Sequence, residues 1–330
     1  MRKIEHSPQE NHFLRWFSYV NTTYTRNLRH ENMVTMSRLS SILVTIKNHE
    51  TKECASYSMH KEIAMIRNKA IFVKFPKLYQ FVHSTYIKLR GFWRAVRNVC
   101  KHGHSFNRKY FVLDDKKLIY VANSKVASSS IKASMMKLEP QASYHTVHVE
   151  AKKSNDVLNI RRNEYPGYFR FTFVRNPFRR VLSCYENKFH TDKKTRSAVS
   201  PDMYFDDYLL GYIKKDRGFA SFVRRVSRIP KFISDRHFVS QSYLLSEKGV
   251  PSYDFWGKME DLPDAYEPIR EKYDLATLPH YNKSTTKNWM DFYDEKTALI
   301  VYKMYERDIK EFGYEEEAQK LLDYVRSKKS

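Results

Sequence analysis

Two segments of the chain share one grammar, and that grammar limits the fold more than any other feature. The first begins with LIYVA (118–122), an apolar run with the length and composition of a buried strand. It continues through the polar loop SKVASSS (124–130) into IKASMMKL, where Ile131, Met135 and Leu138 recur at helical spacing. The second begins with FRFTFV (169–174), a strand of aromatic and β-branched residues, and continues into RNPFRRVLSCYENKF (175–189). There Asn176 is placed to cap a helix and Pro177 suits its first turn, while Phe178, Val181, Leu182, Tyr185 and Phe189 fall on one helical face. Strand, loop and helix in alternation specify an α/β fold with a mainly parallel central sheet flanked by helices. In such sheets ligands bind beyond the carboxyl ends of the strands, where both loops lie.

The loops carry chemistry suited to anions. In the first, Lys125, Val126, Ala127, Ser128, Ser129 and Ser130 lead into a helix start, whose backbone N–H groups favour a phosphate. Three consecutive hydroxyls add donors, and the Lys125 ammonium can reach a reacting group. The pattern is not GxxxxGK[ST], since its glycines are absent and its lysine comes first. By itself it also fits a serine-rich helix cap with a solvated lysine. In the second loop, Arg175 stands at a strand end, where a guanidinium grips phosphate as a fork. Ser183 lies eight residues on, beside the apolar stripe of the helix. By itself this pair also fits a surface arginine and a helix-interior serine.

Taken together, KLIYVANSKVASSSIKASMMKL and FRFTFVRNPFRRVLSCYENKF resemble the two nucleotide-binding motifs of carbohydrate sulfotransferases, the branch with the chondroitin and HNK-1 enzymes. SYDFWGKMEDLPDAY is similar to that family's DF-x-G-K-x-E strand and following turn, and LPHYNKS and VYKMYERDIKEFGY are similar to its C-terminal segments. The resemblance spans roughly 111–315, does not cover the first hundred residues, and implies a P-loop-like, three-layer sulfotransferase domain over 111–330; residues 1–110 read from composition as a basic, mainly helical extension. It implies 3′-phosphoadenylyl sulfate (PAPS) as donor, 3′-phosphoadenosine 5′-phosphate (PAP) as product, and a sugar hydroxyl as acceptor. By position, Lys125 to Ser130 hold the 5′-phosphosulfate, and Arg175 and Ser183 clamp the 3′-phosphate. The polar, basic segment 280–287, with Lys287, fits by composition either a closure over that phosphate or an ordinary surface loop.

Sulfonyl transfer, like phosphoryl transfer, rests on positioning and on stabilising charge at the leaving oxygen. Lys125 is the candidate for that charge. The transferring group is already activated and the cations are on the protein, so no metal is expected, and no Asp-rich cluster is present. The acceptor proton needs a base. His145, His148 and Glu150 follow the first helix, and His237 stands in SDRHFVSQSYLL, similar to a His-x-x-x-Gln stretch of the relatives. That likeness favours His237 or its neighbours for acceptor binding. Each histidine also fits an ordinary structural or surface position.

The rest of the chain bounds the setting. There are 59 Lys and Arg against 37 Asp and Glu, a formal charge of +22, which draws anions and favours an acidic or membrane-linked acceptor. Residues 1–110 read as helical in pieces, with MSRLSSILVTIK (36–47) one helix. The stretch 70–96 is basic and aromatic: a core-facing helix with a basic outer face, or a peripheral membrane contact. No stretch reaches the roughly 18 apolar residues of a spanning helix, and the N-terminus has no apolar signal region. Cys54, Cys100 and Cys184 form no CxxC pair or even framework. Golgi relatives carry an anchor and lumenal disulfides, so the expectation here is cytoplasmic placement with reduced thiols. The C-terminal ALIVYKMYERDIKEFGYE (298–315) reads as one helix ended by Gly313. Two other functions stay open: a kinase-like phosphoryl transferase with a degenerate phosphate loop, and a non-enzymatic binder of acidic glycans or nucleic acid. The missing GxxxxGK[ST] and metal carboxylates count against the first. No nucleic-acid motif speaks for the second, and no nucleic-acid partner is expected.

Overall fold

The computed structural model describes residues 93, 95–139, 142, 144–161, 163–189, 212–213, 217–279 and 288–328, all within one compact unit, Ile87–Ser330. The expected helix at 36–47, nearly all of the 70–96 stretch, and the 280–287 segment with Lys287 lie outside the described residues. Residues 95–102 are helical.

The sheet begins with a hairpin. β1 (Lys109–Leu113) and β2 (Leu118–Ala122) pair antiparallel, from Lys109 opposite Ala122 to Leu113 opposite Leu118. Asp114 to Lys117 make the turn, with Lys117 at φ 47°. The polypeptide then forms α1 (Ser128–Met135), α2 (Tyr144–Ser154), β3 (Asp156–Leu158), β4 (Phe169–Val174), α3 (Pro177–Lys188), α4 (Phe219–Val226), α5 (Gln241–Leu244), β5 (Phe255–Lys258) and α6 (Leu262–Lys272). It ends with α7 (Glu295–Met304), α8 (Glu306–Glu311) and α9 (Glu315–Ser327). The strand order is β3-β1-β2-β4-β5. The β2–β4 and β4–β5 pairs are parallel; β1 runs against both its neighbours. The sheet is therefore mixed, with β1 the reversed strand. The tight 114–117 turn allows only an antiparallel return.

Both faces of the sheet are covered. Phe171 and Phe173 of β4 join Phe111, Tyr120, Ile131, Met135, Tyr266 and Ile269 in the core beneath α1 and α6. Thr172 and Val174, which point the other way by strand alternation, are equally buried. The buried Thr172 satisfies its hydroxyl by donating to Val121 O at 2.7 Å. Gly257 of β5 is required by packing: a Cβ there would stand 2.6 Å from Phe173 Cε1.

Two expected boundaries are corrected. The first helix begins at Ser128, so the three serines are its first turn rather than the end of a loop. The C-terminal helix is broken at Tyr305, which leaves helical geometry at φ −116° and ψ 21° and whose buried hydroxyl donates to Phe238 O at 2.5 Å; α8 starts at the next residue. Gly313, at φ 64°, ends that stretch as expected, but α9 follows it.

Candidate active site

The first loop joins the carboxyl end of β2 to α1. Val126 is fully buried in the core and anchors it. Lys125 and Ala127 take φ of 69° and 43°. A left-handed Ala127 followed by right-handed helix turns successive N–H groups to one side, an arrangement that receives anions. No side chain caps the start of α1, so its first-turn N–H groups have no partner within the helix. The three serines part company. Ser128 Oγ donates to Asn123 O at 2.5 Å and accepts from Tyr120 OH at 3.0 Å, bracing the loop internally. Ser129 Oγ lies 3.3 Å from His148 Nε2, and Ser130 is buried.

Two guanidinium groups lie against this loop. Arg180 of α3, almost wholly buried, donates to Ser124 O at 3.1 Å, Val239 O at 2.7 Å and Arg236 O at 3.0 Å. Arg236 donates to Ser124 Oγ at 2.8 Å and to Ala122 O at 3.2 Å. Both donate to neutral oxygens of the loop and its surroundings, while the Asp235 and Asp156 carboxylates act on Arg236 electrostatically. Neither was singled out from sequence. Arg180 carried a faint signal, a charge next to the apolar stripe of a helix; Arg236 carried none, being more than a hundred residues from the loop it supports.

The second loop leaves β4 at Arg175. Asn176 caps α3, accepting from the N–H groups of Phe178 and Arg179 at 3.0 and 3.3 Å. The Asn176 N–H is itself taken by Glu260 Oε1 at 3.0 Å, and Tyr314 OH donates to Glu260 Oε2 at 2.9 Å. Arg175 Nη1 donates to Lys125 O at 3.2 Å, which ties the two loops together. Ser183 sits half-buried on α3. The exposed Arg179 lies over the Trp289 ring, 5.2 Å from its centre.

The candidate bases divide by position. His148, on α2, is drawn down to about 4 by burial, with Lys132 and Lys109 adding to the effect. Lys109 is itself pushed down to about 8 by burial and by Arg236 and Lys132. Lys132 forms a nearly buried ion pair with Asp156. His237 accompanies Asp235: its N–H and its Nδ1 lie 2.9 and 2.5 Å from Asp235 Oδ1. Burial pulls the His237 imidazole down more than Asp235 lifts it. Burial pushes Asp235 up, but His237 and its hydrogen bonds hold the carboxyl below the ordinary range. Glu150 pairs with Lys153 at the surface, 2.9 Å apart. His145 belongs to α2, and its side chain is not among those described. Cys100 and Cys184 are free thiols, the first exposed and the second buried.

The loop led by Lys125 and the loop led by Arg175 thus lie side by side at the carboxyl ends of two parallel strands, joined by the Arg175 bond to Lys125 O. The family model described as the sulfotransferase family matches residues 108–315, and the chain belongs to that family. Among curated relatives, carbohydrate sulfotransferase 10 of Xenopus laevis is 24% identical over 271 residues, 67% of this chain and 74% of that protein. Carbohydrate sulfotransferase 12 of Xenopus laevis is 24% identical over 185 residues, 49% of this chain and 43% of that protein. Carbohydrate sulfotransferase 11 of Rattus norvegicus is 30% identical over 116 residues, 28% of this chain and 33% of that protein. The match thus spans under half of the type 12 enzyme's length. No solved structure matches. Among the described residues, no helix is long and apolar enough to cross a membrane.

Proposed function

We propose that the chain transfers a sulfonyl group from PAPS to a hydroxyl of a carbohydrate acceptor. The observation that carries this reading is the pairing of the uncapped α1 start, led by Lys125, with Arg175, whose guanidinium reaches the Lys125 carbonyl. The site's donors suit a nucleotide phosphorylated at both ends. The backbone N–H groups of Ser128, Ser129 and Ser130 would hold the 5′-phosphate, because the Ser128 hydroxyl is committed to Asn123. Arg175 and Ser183 would read the 3′-phosphate. PAPS, when bound, supplies the activated sulfonyl group and a phosphate that departs with negative charge. Lys125 would meet that charge, and Arg180 and Arg236 would raise the positive potential beneath it. The relatives' names, carbohydrate sulfotransferases 10, 11 and 12, support a carbohydrate acceptor, and the net charge of +22 favours an acidic one.

For the acceptor proton the reading assigns His148, which touches the first loop through Ser129. Its imidazole is neutral at pH 7, and the negative charge of a bound nucleotide would raise its basicity from the low value set by burial and, to a lesser extent, by Lys132 and Lys109. His237 is the second reading, because Asp235 orients its ring as a carboxylate orients a base. Replacing each by glutamine separates the two, since the true base loses turnover and the other keeps it.

The deciding experiment incubates the chain with labelled PAPS and a panel of neutral, carboxylated and sulfated oligosaccharides. Label transferred to an acidic glycan is the expected result. Binding that prefers ATP with Mg²⁺ over PAP would favour a phosphoryl transferase. Binding that tracks only salt, without nucleotide preference, would favour a charge-driven binder.

A further inference from the structure

The ladder between β2 and β4 pairs Leu118 to Tyr120 with Phe169 to Phe171. Beyond it, side chains replace backbone pairing. Thr172 Oγ1 donates to Val121 O at 2.7 Å, and Asn123 Nδ2 donates to Phe173 O at 3.0 Å. The chains emerging from the two strands carry the two loops of the site, and one carboxamide stands between them. Gln241 Oε1 accepts from Asn123 Nδ2 at 2.8 Å and from the Arg175 N–H at 3.0 Å, while Gln241 Nε2 donates to Arg175 O at 2.8 Å. Gln241 is fully buried. It begins α5, and its own N–H and that of Ser242 are both held by the buried Asp308 carboxylate of α8, at 2.6 and 2.9 Å.

We infer that Gln241, fixed from behind by Asp308, is a positioning residue that sets Arg175 against the first loop and thereby governs selection for a nucleotide carrying a 3′-phosphate. The inference rests on the nucleotide reading given above and goes beyond it. Glutamine suits the position for a chemical reason. Two N–H groups need an acceptor and one carbonyl needs a donor, and a carboxamide supplies both in one plane. Leucine leaves the Arg175 N–H and C=O without their partner. Glutamate keeps the acceptor but sets a second oxygen against the Arg175 carbonyl. Although Gln241 lies in the stretch read from sequence for acceptor binding, its amide is turned inward, away from any acceptor.

The test is calorimetric titration of PAP and of adenosine 5′-monophosphate into the wild type, Gln241→Leu and Gln241→Glu, with a melting curve for each protein. The ratio of the two affinities isolates the 3′-phosphate. In Gln241→Leu that ratio should fall by about tenfold or more, while the monophosphate affinity falls by much less, because two of the three lost side-chain hydrogen bonds hold Arg175 and one reaches Asn123. Gln241→Glu guards against misfolding of the leucine variant. Its ratio should fall at neutral pH and recover on acidification, because a protonated carboxyl again donates to Arg175 O. General loosening of the fold would not produce that recovery. A ratio unchanged in the folded variants would overturn the inference. A wild type that binds both nucleotides equally overturns the nucleotide reading instead, so the two failures are distinguishable.

Discussion

The two strand–loop–helix units are built to one plan but finish their helices in opposite ways. In the second, Asn176 caps α3, and Gln241 and Glu260 take the N–H groups of Arg175 and Asn176. Its backbone is satisfied by protein, so it can offer a ligand only side chains. In the first, no side chain caps α1, the Ser128 hydroxyl is committed to Asn123 O, and the first-turn N–H groups follow a left-handed Ala127. On the proposed reading, the difference shows how the carboxyl ends of two neighbouring strands would serve two phosphates. A bare helix end suits a group whose charge changes during reaction, because its dipole is already in place. A guanidinium fork on a capped, rigid helix suits a group that need only be recognised.

Substitutions can break this contrast, and the largest effect is expected at the first loop. Lys125→Ala should lower kcat by about 100- to 1,000-fold, the usual cost of losing one charge-stabilising donor, with PAP affinity changed far less. Equal losses in rate and affinity would make Lys125 a binding residue and erase the distinction. Arg175→Ala should weaken PAP by about 10- to 100-fold, as for loss of a charge-assisted phosphate contact, and leave adenosine 5′-monophosphate nearly untouched. Arg175→Lys should recover only part of that loss, since lysine cannot fork. A comparable loss for the monophosphate would place Arg175 on the 5′ side.

Smaller effects sharpen the comparison. Asn176→Ala removes the acceptor of two helix N–H groups and should cost about 1 kcal/mol, a fall in melting temperature of about 2–4 °C for a domain of this size. Ala127→Ser should change stability by less, because α1 has no cap to lose. The smallest effect is on pH dependence. His148 lies near 4 in the folded protein, below its ordinary 6.5. Between those values the unfolded chain binds more protons, so stability is intact above about 6.5 and declines as pH falls toward 4. Acid unfolding of His148→Gln should show a shallower decline across that window; an identical curve would mean that His148 is not drawn down.

Much of this was legible locally. FRFTFV is the strand it reads as, and Asn176 and Pro177 open the helix where their capping chemistry says. The hairpin partner of LIYVA was not, because KYFVL (109–113) carries no signal that it pairs backward until the turn closes. The helix start at Ser128 was also missed, since three serines read equally as loop and as first turn. The break at Tyr305 depended on a hydroxyl meeting Phe238, a contact that helical periodicity does not encode.

What the sequence determined by itself is short-range: strands and helices from their apolar period, caps from the residue beside them, and two anion-seeking loops led by Lys125 and Arg175. These follow from interactions within a turn or two of chain. What only the tertiary structure decided is which distant groups serve those loops. Arg180 and Arg236 beside Ser124, Gln241 between Asn123 and Arg175, and Asp308 behind Gln241 come from three separate segments. No local pattern selects them, because their role exists only once the sheet and its helices have packed and a buried polar group must find its partner where the fold has put one.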